Sequence, residues 1–89
     1  MKVTYKVTIF SAASRQLAKI PDSDRKRIRE RIIRLGAEPR PPDVKKLHGK
    51  HDLLRIRCGN YRIIFMLDDK ELAVLVVRIG HRRDIYRGL

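Results

Sequence analysis

The chain has 89 residues, with 22 Lys+Arg against 10 Asp+Glu, a formal net charge of +12 and a single cysteine. That length suits one compact domain over residues 1–89 with a thin core, and one cysteine leaves no internal disulfide. With no apolar run of about 18 residues and no charged-then-apolar leader, the expectation is a cytoplasmic protein outside the membrane, whose basic excess asks for a polyanionic or acidic partner.

Val3, Tyr5, Val7 and Ile9 alternate with Lys2, Thr4, Lys6 and Thr8, the period of a strand with a polar outer face. Ser11 is placed to cap a short helix carrying Ala13, Leu17 and Ile20 at helical spacing, and Pro21 stops it. A second helix follows, with Asp22, Ser23 and Asp24 offering capping oxygens and negative charge, Ile28, Ile32 and Leu35 as the buried stripe, and Gly36 as a left-handed cap. Its outer face holds Lys26, Arg27, Arg29, Arg31 and Arg34 around Glu30, a pattern commoner for a solvated or docking surface than for a nucleic-acid reader. The three prolines between Ala37 and Asp43 forbid regular hydrogen bonding and separate the two halves of the chain. Lys45, Lys46 and Lys50, beside Gly49, then form a basic loop that either guides RNA or is simply solvated.

Leu54, Ile56 and Cys58 alternate with Arg55 and Arg57, and Gly59-Asn60 is a two-residue turn. Cys58 then faces Tyr61, Arg57 faces Arg62, and Arg55, Arg57 and Arg62 share one solvent-facing sheet surface. Like charges directly opposite one another cost stability, so the pattern asks for a bound phosphate chain. Cys58, Tyr61, Ile63 and Phe65 fall on the core side. The strand turns at Asp68-Asp69-Lys70 into Leu72 to Val77, an apolar run expected as a central strand covered on both faces and ended by Gly80. The tail from Gly80 to Leu89 is long enough for only a helical turn or two. The fold class is α+β: a mainly antiparallel sheet of about four strands, with two N-terminal helices packed on one face and the arginines on the other.

RNA carries its own nucleophile, the 2′-hydroxyl, so a protein that cuts it without metal needs cations around the phosphorane and groups that handle two protons. Arginines supply the cations. Imidazole is the side chain suited to acid-base work, so His81 is either an acid-base group or a surface histidine closing a strand, while His48 and His51 are structural or contact RNA. Three scattered histidines, with no partner cysteine and no paired carboxylate at ligand spacing, call for no metal and no cofactor. Tyr86, in a basic tail, is placed to stack on a nucleobase.

Lys46-Leu47-His48-Gly49, Arg55-Ile56-Arg57 followed by Gly59-Asn60-Tyr61-Arg62, and the closing Gly80-His81-Arg82-Arg83-Asp84-Ile85-Tyr86, in this strand-helix-helix-meander order, together resemble the RelE/ParE superfamily of toxins from toxin–antitoxin pairs. The resemblance covers nearly the whole chain. It implies an mRNA interferase of the RelE branch, a metal-independent endoribonuclease that cuts mRNA in the ribosomal A site and is silenced in a hetero-oligomer with a RelB-like antitoxin. It further implies that Arg55 and Arg57 lie near the scissile phosphate, that Arg62 holds the phosphate, that Arg82 stabilises the transition state or helps protonate the leaving oxygen, and that Tyr86 orients the nucleotide. Some members place a histidine for acid-base work where this chain has His81. Well-known RelE members carry lysine at the places of Arg55 and Arg57, and arginine is a poor proton acceptor. Two rival readings stand beside this one: a ParE-like inhibitor of DNA gyrase on the same fold, and a non-catalytic RNA-binding module that would also use a basic sheet.

Overall fold

The computed structural model describes residues 3–47, 49 and 52–87, so His48, Lys50 and His51 lie outside the described residues. Its elements are β1 (Lys6–Ile9), α1 (Ser11–Ala18), α2 (Asp22–Ala37), β2 (Lys45–Lys46), β3 (Leu54–Cys58), β4 (Tyr61–Asp68) and β5 (Ala73–His81). They build one five-stranded sheet in the order β1-β5-β4-β3-β2, parallel between β1 and β5 and antiparallel elsewhere. The class is α+β, and the strand beyond the expected four is β2, where Lys45 and Lys46 form an edge strand instead of a loop.

Both helices cover one face. Ala13 and Leu17 of α1, Ile20 just after it, and Ile28, Ile32 and Leu35 of α2 pack on Ile56, Ile63, Phe65, Val74, Val76 and Ile79 of the sheet. The period-3.6 stripe of each helix and the period-two stripe of each strand meet there, which removes most of the large aliphatic side chains from water.

Three local expectations need correction. Neither helix has a side-chain cap: Phe10 and Pro21 occupy the cap positions, Ser11 is already helical, and Asp22 and Asp24 act instead through the helix dipole and ion pairs with Arg25 and Arg27. Gly36 lies within α2 and is no left-handed cap. A Cβ there would sit 3.0 Å from the Tyr5 carbonyl oxygen, and the Gly36 carbonyl accepts the Tyr5 N–H at 2.7 Å, so the missing side chain lets the helix backbone dock on the segment entering β1. Gly80 does not end β5, which runs on to His81.

The strand buried on both faces is β4 rather than β5. Arg62, Ile63, Ile64 and Phe65 are consecutively buried, whereas β5 buries Val74, Val76 and Ile79 toward the helices and leaves its other positions half-buried. The register explains how β5 changes step. Phe65 pairs with Val76 and Ile64 with Arg78, so Val77 bulges out of the ladder. Strict alternation would have put Arg78 in line with Val74 and Val76, against the helices; the bulge turns Arg78 and Gly80 to the open face and Ile79 to the core. Past Val76 the strand has no β1 partner, and the Gln16 side-chain oxygen accepts the Ile79 N–H at 2.8 Å.

Candidate functional site

The β3–β4 hairpin turns at Gly59-Asn60 with Cys58 opposite Tyr61 and Arg57 opposite Arg62. Gly59 has φ +59° while Asn60 is not in the left-handed region, as a turn with glycine at its first central position requires. Paired residues share a face, so two rows cross the open side of the sheet: Arg57, Arg62 and Gly80 in one, and Lys45, Arg55, Ile64 and Arg78 in the next. Lys46 pairs with Leu54, which packs on the helix-side core, so only Lys45 of the two lysines extends the arginine surface.

Arg62 is the centre of this surface and is only 9% exposed. Its Nη1 donates to the carbonyls of Gly59 and Tyr61 at 3.2 and 3.1 Å. Burial first, then the guanidiniums of Arg57 and Arg55 and more weakly that of Arg82, pull its pKa below the ordinary arginine range, and Tyr86 opposes them. Arg55, Arg57, Arg82 and Tyr86 therefore all sit within electrostatic reach of Arg62. Among the described residues, no carboxylate forms an ion pair with Arg55, Arg57, Arg62, Arg78 or Arg82. Arg62 is buried and Arg55 half-buried, while Arg57 and Arg82 are exposed. A desolvated guanidinium among like charges without a counterion is costly by itself, and an incoming anion offsets that cost.

The tail completes the cluster. The Arg82 N–H donates to the Asn60 carbonyl at 2.8 Å, the Asp84 and Ile85 amides donate to the His81 carbonyl, and the chain curls back so that Tyr86, 43% exposed, receives a long hydrogen bond from Arg55 Nη1 at 3.4 Å. His81 closes β5 directly before Arg82 and lines a cavity with Arg78 and Ile85. It pairs with Tyr61 on the helix side of the sheet, its ring meets the Tyr61 ring edge-on at 5.8 Å, and its Nδ1 accepts the Arg83 N–H at 3.2 Å. Cys58 is half-buried on the helix side, where desolvation raises its thiol pKa, as expected of a small core residue rather than a nucleophile.

Arg78 is the residue that reading the sequence missed. It is the one charged side chain inside a strand that otherwise reads Ala-Val-Leu-Val-Val-Ile-Gly before its terminal histidine, a visible irregularity, but its direction depends on the bulge at Val77.

The family model described as the ParE toxin of type II toxin-antitoxin system, parDE, matches residues 7–86, from β1 through Tyr86. The chain belongs to the RelE/ParE toxin family. It is 32% identical to the toxin RelG of Mycobacterium tuberculosis over 91 aligned positions, covering 93% of this chain and 97% of RelG. Among solved structures it resembles the toxin–antitoxin complex RelBE2 from Mycobacterium tuberculosis, with TM-score 0.80, 29% identity, and 90% of this chain and 100% of that chain covered. It is also similar to the archaeal RelE–RelB complex from Pyrococcus horikoshii OT3, with TM-score 0.79, 31% identity, and 91% and 98% of the two chains covered. As a RelE/ParE protein it is a toxin of a type II toxin–antitoxin system, and both rows of arginines lie within the matched span.

Proposed function

We propose that this RelE/ParE toxin is a ribosome-dependent mRNA endoribonuclease that works in the cytoplasm by promoting attack of the RNA 2′-hydroxyl on the adjacent phosphate. The observation that carries the reading is Arg62, a buried guanidinium facing Arg55, Arg57, Arg82 and Tyr86, with no carboxylate paired to any of these arginines among the described residues. A cation already fixed and desolvated, as Arg62 is by its bonds to the Gly59 and Tyr61 carbonyls, stabilises the charge that builds on a pentacoordinate phosphorane because it needs little reorganisation when that charge forms. In this reading Arg62 holds the phosphate against the sheet, Arg55 and Arg57 neutralise its free oxygens, Arg82 meets the departing 5′ oxygen, and Tyr86 stacks on the nucleotide. Lys45, with Lys46 and Lys50 nearby in the chain, extends the track for the RNA backbone. Guanidiniums are poor proton acceptors, so the cluster supplies charge: as the P–O2′ bond forms the 2′-hydroxyl proton passes to solvent water, and as the P–O5′ bond breaks the departing oxygen takes a proton from water beside Arg82.

The solved relatives named as toxin–antitoxin complexes support a RelB-like antitoxin as the partner. An acidic, partly apolar segment that orders as it binds would cover the arginine face in a hetero-oligomer.

The test is single-turnover cleavage of mRNA on programmed ribosomes, with product ends analysed for a 2′,3′-cyclic phosphate. Arg82→Ala is expected to slow cleavage by about 10²–10³-fold, the usual size of losing one preorganised donor. Tyr86→Phe is expected to do less than Tyr86→Ala, because stacking uses the ring. A chelator is expected to leave the rate unchanged. The ParE name of the matching family model favours a second reading, inhibition of DNA gyrase. Protein that leaves mRNA intact but blocks gyrase would establish that reading, and protein that binds RNA without doing either would be a binding module.

A further inference from the structure

We infer that Arg78 is a positioning residue: it grips the tail on either side of Tyr86 and thereby fixes the tyrosine over the arginine face. The inference rests on the nuclease reading of that face and goes beyond it, since Arg78 reaches the reacting atoms only through Tyr86.

The geometry is a clamp. Arg78 Nη1 donates to the Ile85 carbonyl at 3.1 Å and to the Arg87 carbonyl at 2.6 Å, the two peptide oxygens that bracket Tyr86. Ile85, 2% exposed, lies over Gly80, where a Cβ would stand 3.2 Å from Ile85 Cδ1. The tail is thus tied at its start by Arg82 to Asn60, in its middle by Ile85 on Gly80, and around Tyr86 by Arg78. Among the described residues, Tyr86 itself adds a single long side-chain bond, to Arg55. A segment this short, with an exposed aromatic ring, has little reason to hold one position without such ties.

The bulge at Val77 is what makes the clamp possible, because it brings Arg78 and Gly80 to the same face as Arg55 and Arg62. Bulges beside functional sites commonly re-aim a side chain in this way. A guanidinium suits the task because one planar group can satisfy two carbonyls at once, whereas a lysine offers a single point charge.

The experiment is a double-mutant cycle in the ribosome assay, joined to hydrogen exchange on the free protein. The amides of Ile85 and Arg87 donate to the carbonyls of His81 and Asp84, so their exchange reports directly on whether the tail is seated. Arg78→Met is expected to speed exchange at these two amides by about tenfold or more while core amides stay protected. It is expected to slow cleavage by about 10- to 100-fold, the scale of a misplacement near 1 Å. In a Tyr86→Ala background it should cost nothing further, and Arg78→Lys should recover only part of the loss. Equal losses from Arg78→Met with and without Tyr86 would overturn the inference and make Arg78 a direct phosphate ligand. Unchanged exchange at Ile85 and Arg87 would also overturn it. Wild-type protein that cuts no mRNA would sink the nuclease reading and Tyr86's role with it, while the exchange measurement would still decide whether Arg78 holds the tail.

Discussion

Helix α2 and the β3–β4 hairpin are both rich in arginine, and they treat the charge in opposite ways. On α2, Arg25, Arg27 and Arg31 each reach a carboxylate, those of Asp22, Asp24 and Asp43, while Arg29 and Arg34, with no ion pair among the described residues, stand exposed to water. Arg31 also donates to the Arg57 carbonyl at 3.3 Å, so it joins the helix to β3 and to the proline-rich segment before β2. On the hairpin, Arg57 and Arg62 stand opposite one another, Arg55 is alongside, and no counterion pairs with them among the described residues. Density of basic residues therefore does not locate the anion-binding surface. What distinguishes it is a buried guanidinium, that of Arg62, set among like charges with no carboxylate paired to it.

The largest test of this contrast is catalytic. Arg62→Ala is expected to lower single-turnover cleavage by about 10²–10³-fold, while Arg27→Ala leaves it unchanged. Similar losses at both positions would erase the distinction between the two surfaces. A thermal melt of Arg62→Ala, which also loses the bonds to Gly59 and Tyr61, separates a missing cation from a disordered turn.

Binding sharpens the comparison. RNA affinity is expected to fall with salt, and Arg55→Ala or Arg57→Ala is expected to flatten the slope by about 0.7 log unit per log salt for each single-strand phosphate that the variant leaves without its cation. Arg25→Ala should leave the slope as it is. Fluorescence titrations over a salt series measure both.

Stability should move in opposite directions on the two surfaces. Arg31→Ala is expected to lower it by about 1 kcal/mol, a small value because the Asp43 side chain is 43% exposed and the ion pair is screened. Arg57→Thr is expected to raise it by about 0.2–1 kcal/mol by relieving the repulsion across the ladder, while weakening RNA binding. Urea denaturation reads both changes, and destabilisation by Arg57→Thr would mean that the hairpin charges are not in conflict.

The smallest effect is in pH. The Arg31 guanidinium holds the Asp43 carboxyl below its usual range. A depressed carboxylate pKa stabilises the fold above the unfolded value of about 4, and that contribution is lost as pH falls through the folded value. Asp43→Asn should remove this acid-limb dependence without touching RNA binding.

The contrast also shows how far the sequence was legible. The arginine hairpin could be read because its determinants are local: two-residue alternation sets the face and Gly59-Asn60 sets the register. The helix stripes were legible for the same reason. The end of β5 was not, because one bulged residue at Val77 inverts the alternation, and nothing in a run of valines and leucines marks which residue will bulge. Gly36 was misread because a glycine near a helix end suits a left-handed cap as well as a close backbone approach, and only the position of Tyr5 decides between them. The pairing of His81 with Tyr61 was not legible either, because it follows from the same bulge, which sets Gly80 opposite Arg62. For the candidate site, the facing of Arg55, Arg57 and Arg62 followed from the sequence, while Tyr86's seat and Arg78's grip on it required the tail to be placed in three dimensions.

The parallel pairing of β1 with β5 joins Lys6 to Ala73 and Ile9 to Val76, so the first strand finds its partner only in the last one. The β3–β4 hairpin closes over two residues, whereas β1 must close a loop spanning most of the chain, and loop-closure entropy sets these two pairings at opposite ends of a time order. Assembly of the arginine hairpin is thus a local event, and docking of β1 a late one. Val7→Ala in β1 is expected to speed unfolding while leaving the refolding rate nearly unchanged, which stopped-flow chevrons would reveal. A toxin built in this order forms its charged hairpin before its sheet is closed.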